Sequence, residues 1–150
     1  EDGTRYIMEQ ARGGLSEQEI EQIAEAQRRE IQRRVDVLRD GRPLPGLEGK
    51  TVILVDDGIA MGSTMTASVR TCRNQRAAHV VVAVPTASPR AVEALSREAD
   101  EVVVLHSPPG FRAVADAYAE WHDATDDEVR ALMRHYKNER NTAGARTEHT

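Results

Sequence analysis

Asp56 and Asp57 stand side by side and are followed closely by Gly58, Gly62, Ser63 and Thr64. The two acids offer acceptors for neighbouring sugar hydroxyls or for a hydrated Mg²⁺. They repel a phosphate. The glycines behind them let the backbone turn tightly, while Ser63 and Thr64 bring hydroxyls and free N–H groups to the start of a helix, which suits a phosphate. One short stretch therefore carries acceptors for a diol and donors for an anion.

Such groups need a rigid mount. Thr51 to Val55 (TVILV) is an apolar, β-branched run of buried-strand type, so the acids emerge at the carboxyl edge of a sheet, where open α/β folds bind ligands. A helical pattern continues to Val69. The whole segment, TVILVDDGIAMGSTMTASV, resembles the phosphoribosyl pyrophosphate (PRPP) signature of the type I phosphoribosyltransferases, an apolar strand, two acids and a small-residue loop ending in Gly-x-Thr. The resemblance implies that Asp56 and Asp57 bind the ribose 2′- and 3′-hydroxyls and that Ala60, Met61, Gly62, Ser63 and Thr64 wrap the 5′-phosphate. It extends from Gly49 to about Leu132 through VVVAVPTASP and EADEVVVLHSPPGF, and looks like the C-terminal part of a bacterial subgroup of the family. It implies a Rossmann-like parallel sheet, Mg²⁺ arriving with PRPP, and acceptor contacts from His106 and Phe111.

The chain departs from the pattern at three places. Met61 stands where the family usually carries Thr or Ser, which removes one hydroxyl donor and leaves the backbone N–H groups. Ala60 stands where the 6-oxopurine salvage branch carries an aspartate general base, so transfer to hypoxanthine or guanine by that route is not expected. The family also places a strand and an Arg-Gly-Gly type pyrophosphate loop upstream of a segment like Thr4 to Met8. Arg12-Gly13-Gly14 matches that loop only superficially, because MEQA precedes it, and the expectation is a chain lacking this N-terminal part.

The remaining pattern alternates strand and helix. His79 to Val84 and Glu101 to Leu105 are β-branched apolar runs, interleaved with helical segments from Pro89 to Glu98 and from Phe111 to Trp121. This order predicts right-handed crossovers and a parallel sheet covered on both faces. Upstream, Thr4 to Met8 suits a short edge strand. Ser16 with Glu19 forms a capping box for a long helix whose narrow apolar stripe includes Ile20, Ile23, Ile31, Val35 and Leu38. The Pro43, Pro45, Gly46 cluster follows its end. Thr125 with Glu128 caps a last helix expected to reach about Tyr136, and the polar stretch from Lys137 to Thr150 reads as a disordered tail. One domain over residues 1–136 is the expectation.

Composition narrows the function classes. A net charge of −5 argues against general nucleic-acid binding, which needs a basic surface. No apolar run approaches membrane-spanning length, and the single Cys72 excludes an intramolecular disulfide. A cytoplasmic protein acting on small molecules, with a homodimer possible, is expected.

Each candidate has a plainer reading. Adjacent acids at a sheet edge could cap the next turn, yet two unpartnered carboxylates there are costly, which favours function. The loop could be an ordinary turn into a helix. Ser88 with Pro89 suits an N-cap followed by the first helical position. His106 to Phe111 is either a ligand contact or a stiff loop, and Phe111, Tyr118 and Trp121 fit core packing along one helix better than a stacking platform. His122, His135 and His149 lack metal-ligand spacing. Arg28, Arg29, Arg33 and Arg34 read as a solvated helix face.

The leading expectation is a phosphoribosyltransferase with no identifiable general base. The second is a non-catalytic regulator of the same fold that binds PRPP or a nucleotide. A phosphoacceptor receiver domain also places two aspartates after an apolar strand, but it needs a lysine after a later strand. The lysines here are Lys50 and Lys137, so that reading is rejected.

Overall fold

The computed structural model describes residues 2–7 and 13–147, with side chains as far as Tyr136. The chain divides into two compact units, one made of Glu1–Arg28 with Leu44–Trp121 and the other of Arg29–Pro43 with His122–Thr150. The span expected as one domain, residues 1–136, includes parts of both.

The first unit is an α/β fold built on three parallel strands in the order β1-β2-β3: β1 Thr51–Val55, β2 His79–Thr86 and β3 Glu101–His106. The register aligns Val52 with Val80 and Val82 with Val102. Helix α1 is Glu17–Arg39, and the boundary between units falls within it. Helices α2 (Ser63–Asn74) and α3 (Pro89–Leu95) make the two crossovers. The core is the layer between them and the sheet. Val69, Val80, Val82 and Leu95 are fully buried there, with Met65, Cys72, Val84 and Ala91 around them.

Only one sheet face is covered among the described residues, which corrects the expectation of two. Successive right-handed crossovers to a neighbouring strand, made in the same direction, put both helices on the same side. The other face leaves Ile53, Val55 and Leu105 61%, 73% and 83% exposed. The near-continuous apolar pattern of the strands suggested burial on both sides, but the sequential strand order overrides it.

Three further expectations are corrected. Residues 4–7 form no strand, and Met8 lies outside the described residues. Contacts to α2 hold them instead: the Arg70 guanidinium lies 4.9 Å from the Tyr6 ring centroid, and Asn74 donates to the Thr4 hydroxyl. The segment from Phe111 to Trp121 contains only a 3-10 turn, Val114–Ala117, between extended residues. The spacing of Phe111, Val114, Tyr118 and Trp121 imitates a helix, but those side chains serve separate contacts described below.

In the second unit, helix α4 runs Asp126–Thr147, past the end expected near Tyr136. The polar stretch from Lys137 contains Lys, Glu, Arg and Ala and no proline, so helix propensity continues after the apolar stripe stops. Thr125 and Glu128 cap this helix, as their spacing predicts, and Ser16 and Glu19 cap α1 in the same reciprocal way. Arg33 bridges Glu30 and Asp126, and Arg34 also reaches Glu30. These guanidiniums hold the Glu30 carboxyl down at about 2. The arginine-rich face is thus largely neutralised by its own acids.

Candidate functional site

All three strands end at the same edge, and the segments that follow them meet there. Asp56 and Asp57 leave β1, and the Asp57 N–H donates to the Asp56 carboxylate at 3.0 Å. Partial burial raises the Asp56 pKa above the usual carboxylate value, and the neighbouring Asp57 charge adds to this against the hydrogen bond from its N–H. A carboxylate held out of full solvation beside a like charge suits a site that gains hydroxyl donors on binding.

Gly58 is required by close approach. A Cβ there would lie 2.6 Å from Cγ1 of Val114 and 2.8 Å from Cγ2 of Thr86. Ile59, almost fully buried, then bridges to Ala87: its N–H donates to the Thr86 carbonyl at 3.0 Å, and the Ser88 N–H donates to its carbonyl at 2.9 Å. The chain reaches α2 through Gly62, whose φ of +81° is a left-handed conformation that favours glycine.

Gly62 caps α2 without a side-chain hydrogen bond, and no acid lies in the first helical turn. The first N–H groups of a helix have no partner within it, and the helix dipole makes that end positive. The cleft at this end is lined by Asp56, Gly58, Ile59, Met65 and the loop residues Ala60, Met61, Gly62, Ser63 and Thr64. The structure therefore gathers the predicted phosphate loop and one of the two predicted acids around one cleft, with the second acid adjoining. Met61, which also lines the cleft, is 67% exposed.

His106 ends β3, where its carbonyl accepts from the Ala87 N–H, and Phe111 closes a turn onto Pro108. Neither lines the cleft. Arg12 of the Arg-Gly-Gly match lies outside the described residues. Tyr118 and Trp121 are 37% and 42% exposed, with ring centroids 5.2 Å apart, and so are not core residues.

Two contacts are not visible in the motif. The Tyr118 hydroxyl donates to the Asp57 carbonyl at 2.6 Å, and the Ser88 hydroxyl donates to the Ala60 carbonyl at 2.6 Å. Ser88 also accepts from the Ala91 N–H as the N-cap of α3. The spacing of Ser88 and Pro89 reveals the cap, whereas the reach back to Ala60 depends on strand pairing. The described residues contain no group of three or more His, Cys, Asp or Glu side chains able to hold a metal.

A family model described as phosphoribosyl transferase domain matches residues 6–124. Two curated proteins of Mycobacterium tuberculosis are similar to the chain, "Putative phosphoribosyl transferase Rv0571c" of strain H37Rv and "Putative phosphoribosyl transferase MT0597" of strain CDC 1551. Each is 36% identical over 135 residues, covering 89% of this chain and 30% of the relative. The crystal structure of TT1426 from Thermus thermophilus matches with a TM-score of 0.68 and 38% identity, over 84% of this chain and 60% of that one. The chain thus spans less than a third of the length of these curated relatives.

Proposed function

Since the chain belongs to the phosphoribosyl transferase domain family, we propose that its cleft binds the phosphoribosyl moiety of PRPP and serves phosphoribosyl transfer to a nucleobase or another nucleophile. One observation carries the proposal: the acids after β1 lead through a short loop into a helix start that has no side-chain cap and no acid in its first turn, beside one cleft. The Asp56 and Asp57 carboxylates accept from the ribose 2′- and 3′-hydroxyls, and the backbone from Ala60 to Thr64, with the Ser63 and Thr64 hydroxyls, donates to the 5′-phosphate. In the reaction the acceptor's lone pair forms the bond to ribose C1 as the C1–O bond to pyrophosphate breaks. Positive charge on the sugar in an oxocarbenium-like transition state is stabilised by the two carboxylates. Phosphate contacts far from C1 supply binding energy to the reacting centre.

Two adjacent carboxylates do not enclose a cation, so Mg²⁺ belongs to the substrate, entering on the pyrophosphate oxygens. His106, at the end of β3, and Phe111, after it, are proposed to meet the acceptor. The setting proposed is the cytoplasm, in keeping with the free, buried Cys72. No helix among the described residues is long and apolar enough to cross a membrane.

The test is isothermal titration with Mg²⁺-PRPP and with ribose 5-phosphate, for the wild type and for Asp56→Asn/Asp57→Asn. Saturable binding by the wild type and its loss in the double variant are expected. A folded wild type that binds neither ligand refutes the reading. Met61, a loop residue without a hydroxyl, favours one second reading, a regulator that binds without turnover. Pyrophosphate release in the presence of a nucleobase panel separates the two.

A further inference from the structure

The anion loop is anchored through its carbonyls. Those of Asp57, Ile59 and Ala60 accept from the Tyr118 hydroxyl, the Ser88 N–H and the Ser88 hydroxyl respectively. Each donor comes from a segment that follows β2 or β3, outside the loop and its motif. A carbonyl turned toward a phosphate would repel it, and the dipole of each peptide unit couples its carbonyl to the N–H of the next residue. Fixing the carbonyls therefore fixes where the N–H groups of Gly58, Ala60 and Met61 point. The following N–H groups, from Ser63 onward, are oriented by α2 itself. Between the acids and the helix, the backbone bridge of Ile59 to Ala87 holds the middle of the loop, and the two hydroxyls hold the peptide units on either side of it.

We infer that Ser88 and Tyr118 are positioning residues of the site, their hydroxyls holding the loop carbonyls outward so that its N–H groups stay aimed at an anion. The inference deepens the reading of the cleft as a phosphoribosyl site and rests on it for the identity of the ligand. Neither residue touches the anion. Ser88 secures the phosphate end of the loop at Ala60, and Tyr118 secures the acidic end at Asp57. Val114, at the start of the 3-10 turn that leads to Tyr118, packs where a side chain on Gly58 would lie. That contact brings the Tyr118 segment against the acidic loop.

Three variants isolate the hydroxyls. Ser88→Gly removes the donor while retaining a residue accepted at a helix N-cap nearly as well as serine. Ser88→Thr keeps both donor and cap. Tyr118→Phe removes only the oxygen and leaves a ring to pack on Trp121. Losing one hydrogen bond of ordinary net strength weakens binding of ribose 5-phosphate by about three- to tenfold. The expected result is such a weakening in Ser88→Gly and Tyr118→Phe and recovery in Ser88→Thr.

Amide hydrogen exchange of residues 57–62 without ligand reads the anchoring independently. Faster exchange is expected in Ser88→Gly and Tyr118→Phe, with wild-type rates in Ser88→Thr. Wild-type exchange in the glycine and phenylalanine variants overturns the inference, as does wild-type affinity in both. If the wild type binds no ribose 5-phosphate, the phosphoribosyl reading fails, and exchange alone still decides whether the hydroxyls order the loop.

Discussion

Val114 fills the space that a side chain on Gly58 would need: a Cβ on the glycine would lie 2.6 Å from Cγ1 of the valine. The acidic loop and the segment after β3 can meet this closely only because residue 58 has no side chain. Gly58→Ala is expected to destabilise by about 1–3 kcal/mol, the usual cost of overpacking. Gly58→Ala combined with Val114→Ala should recover part of that loss. Urea unfolding of the single and double variants measures the recovery.

Asp56 gives a pH-dependent prediction of definite sign. Its folded pKa lies above the unfolded value, chiefly through burial, so the ionised form weakens the fold. Its contribution is most favourable below the unfolded carboxylate pKa and is lost as pH rises through the folded pKa. Asp56→Asn should therefore melt higher than the wild type near neutral pH, with the difference vanishing in acid, while losing ribose 5-phosphate binding. Melting curves at several pH values, paired with titration, check both halves.

Asp100 predicts the opposite limb. The Arg73 guanidinium and the Val80 N–H hold its carboxyl down at about 2. A depressed pKa contributes stability that is present above the unfolded value and lost as pH falls through the folded one. Asp100→Asn should lower stability at neutral pH and flatten its decline between about pH 4 and pH 2. Chemical denaturation across that window reads the slope.

Thr86 is 1% exposed, and its hydroxyl has no hydrogen-bond partner among the described residues. Replacing it by isosteric valine removes a buried polar atom and should stabilise the protein by about 1 kcal/mol. A loss of stability in Thr86→Val would overturn this expectation. Differential scanning calorimetry is sufficient to read the sign.

The uncovered sheet face predicts self-association. Ile53, Val55 and Leu105 project from it, forming an apolar surface of the kind that drives contacts between molecules. Leu105→Lys at an 83% exposed position should change stability by less than about 0.5 kcal/mol. It should also lower the sedimentation-average mass at high protein concentration.

The sequence reveals whatever depends on local chemistry. TVILV ends where the strand ends, the spacings of Ser16 with Glu19 and Thr125 with Glu128 give working caps, and the acids and small loop residues converge as their types suggest. Its limits appear where distant segments compete. Tyr118 leaves a helical spacing because its hydroxyl finds the Asp57 carbonyl, a partner set by the meeting of strand ends. The uncovered face follows from strand order, which no single strand encodes. The continuation of α4 beyond Tyr136 is hidden because an exposed helix needs propensity and no apolar stripe.

The carbonyl anchors also impose an order on assembly. During synthesis, the segment from Asp56 to Thr64 emerges before Ser88 and well before Tyr118. Helix α2 can form as a local element, but the turn between the acids and that helix gains its last anchors only after β2 and β3 have docked. A nascent or prematurely ended chain that includes the entire signature motif would therefore present its donors without aiming them. Affinity for a phosphorylated sugar would mature with the arrival of residues far downstream, so ligand capture reports completion of the fold.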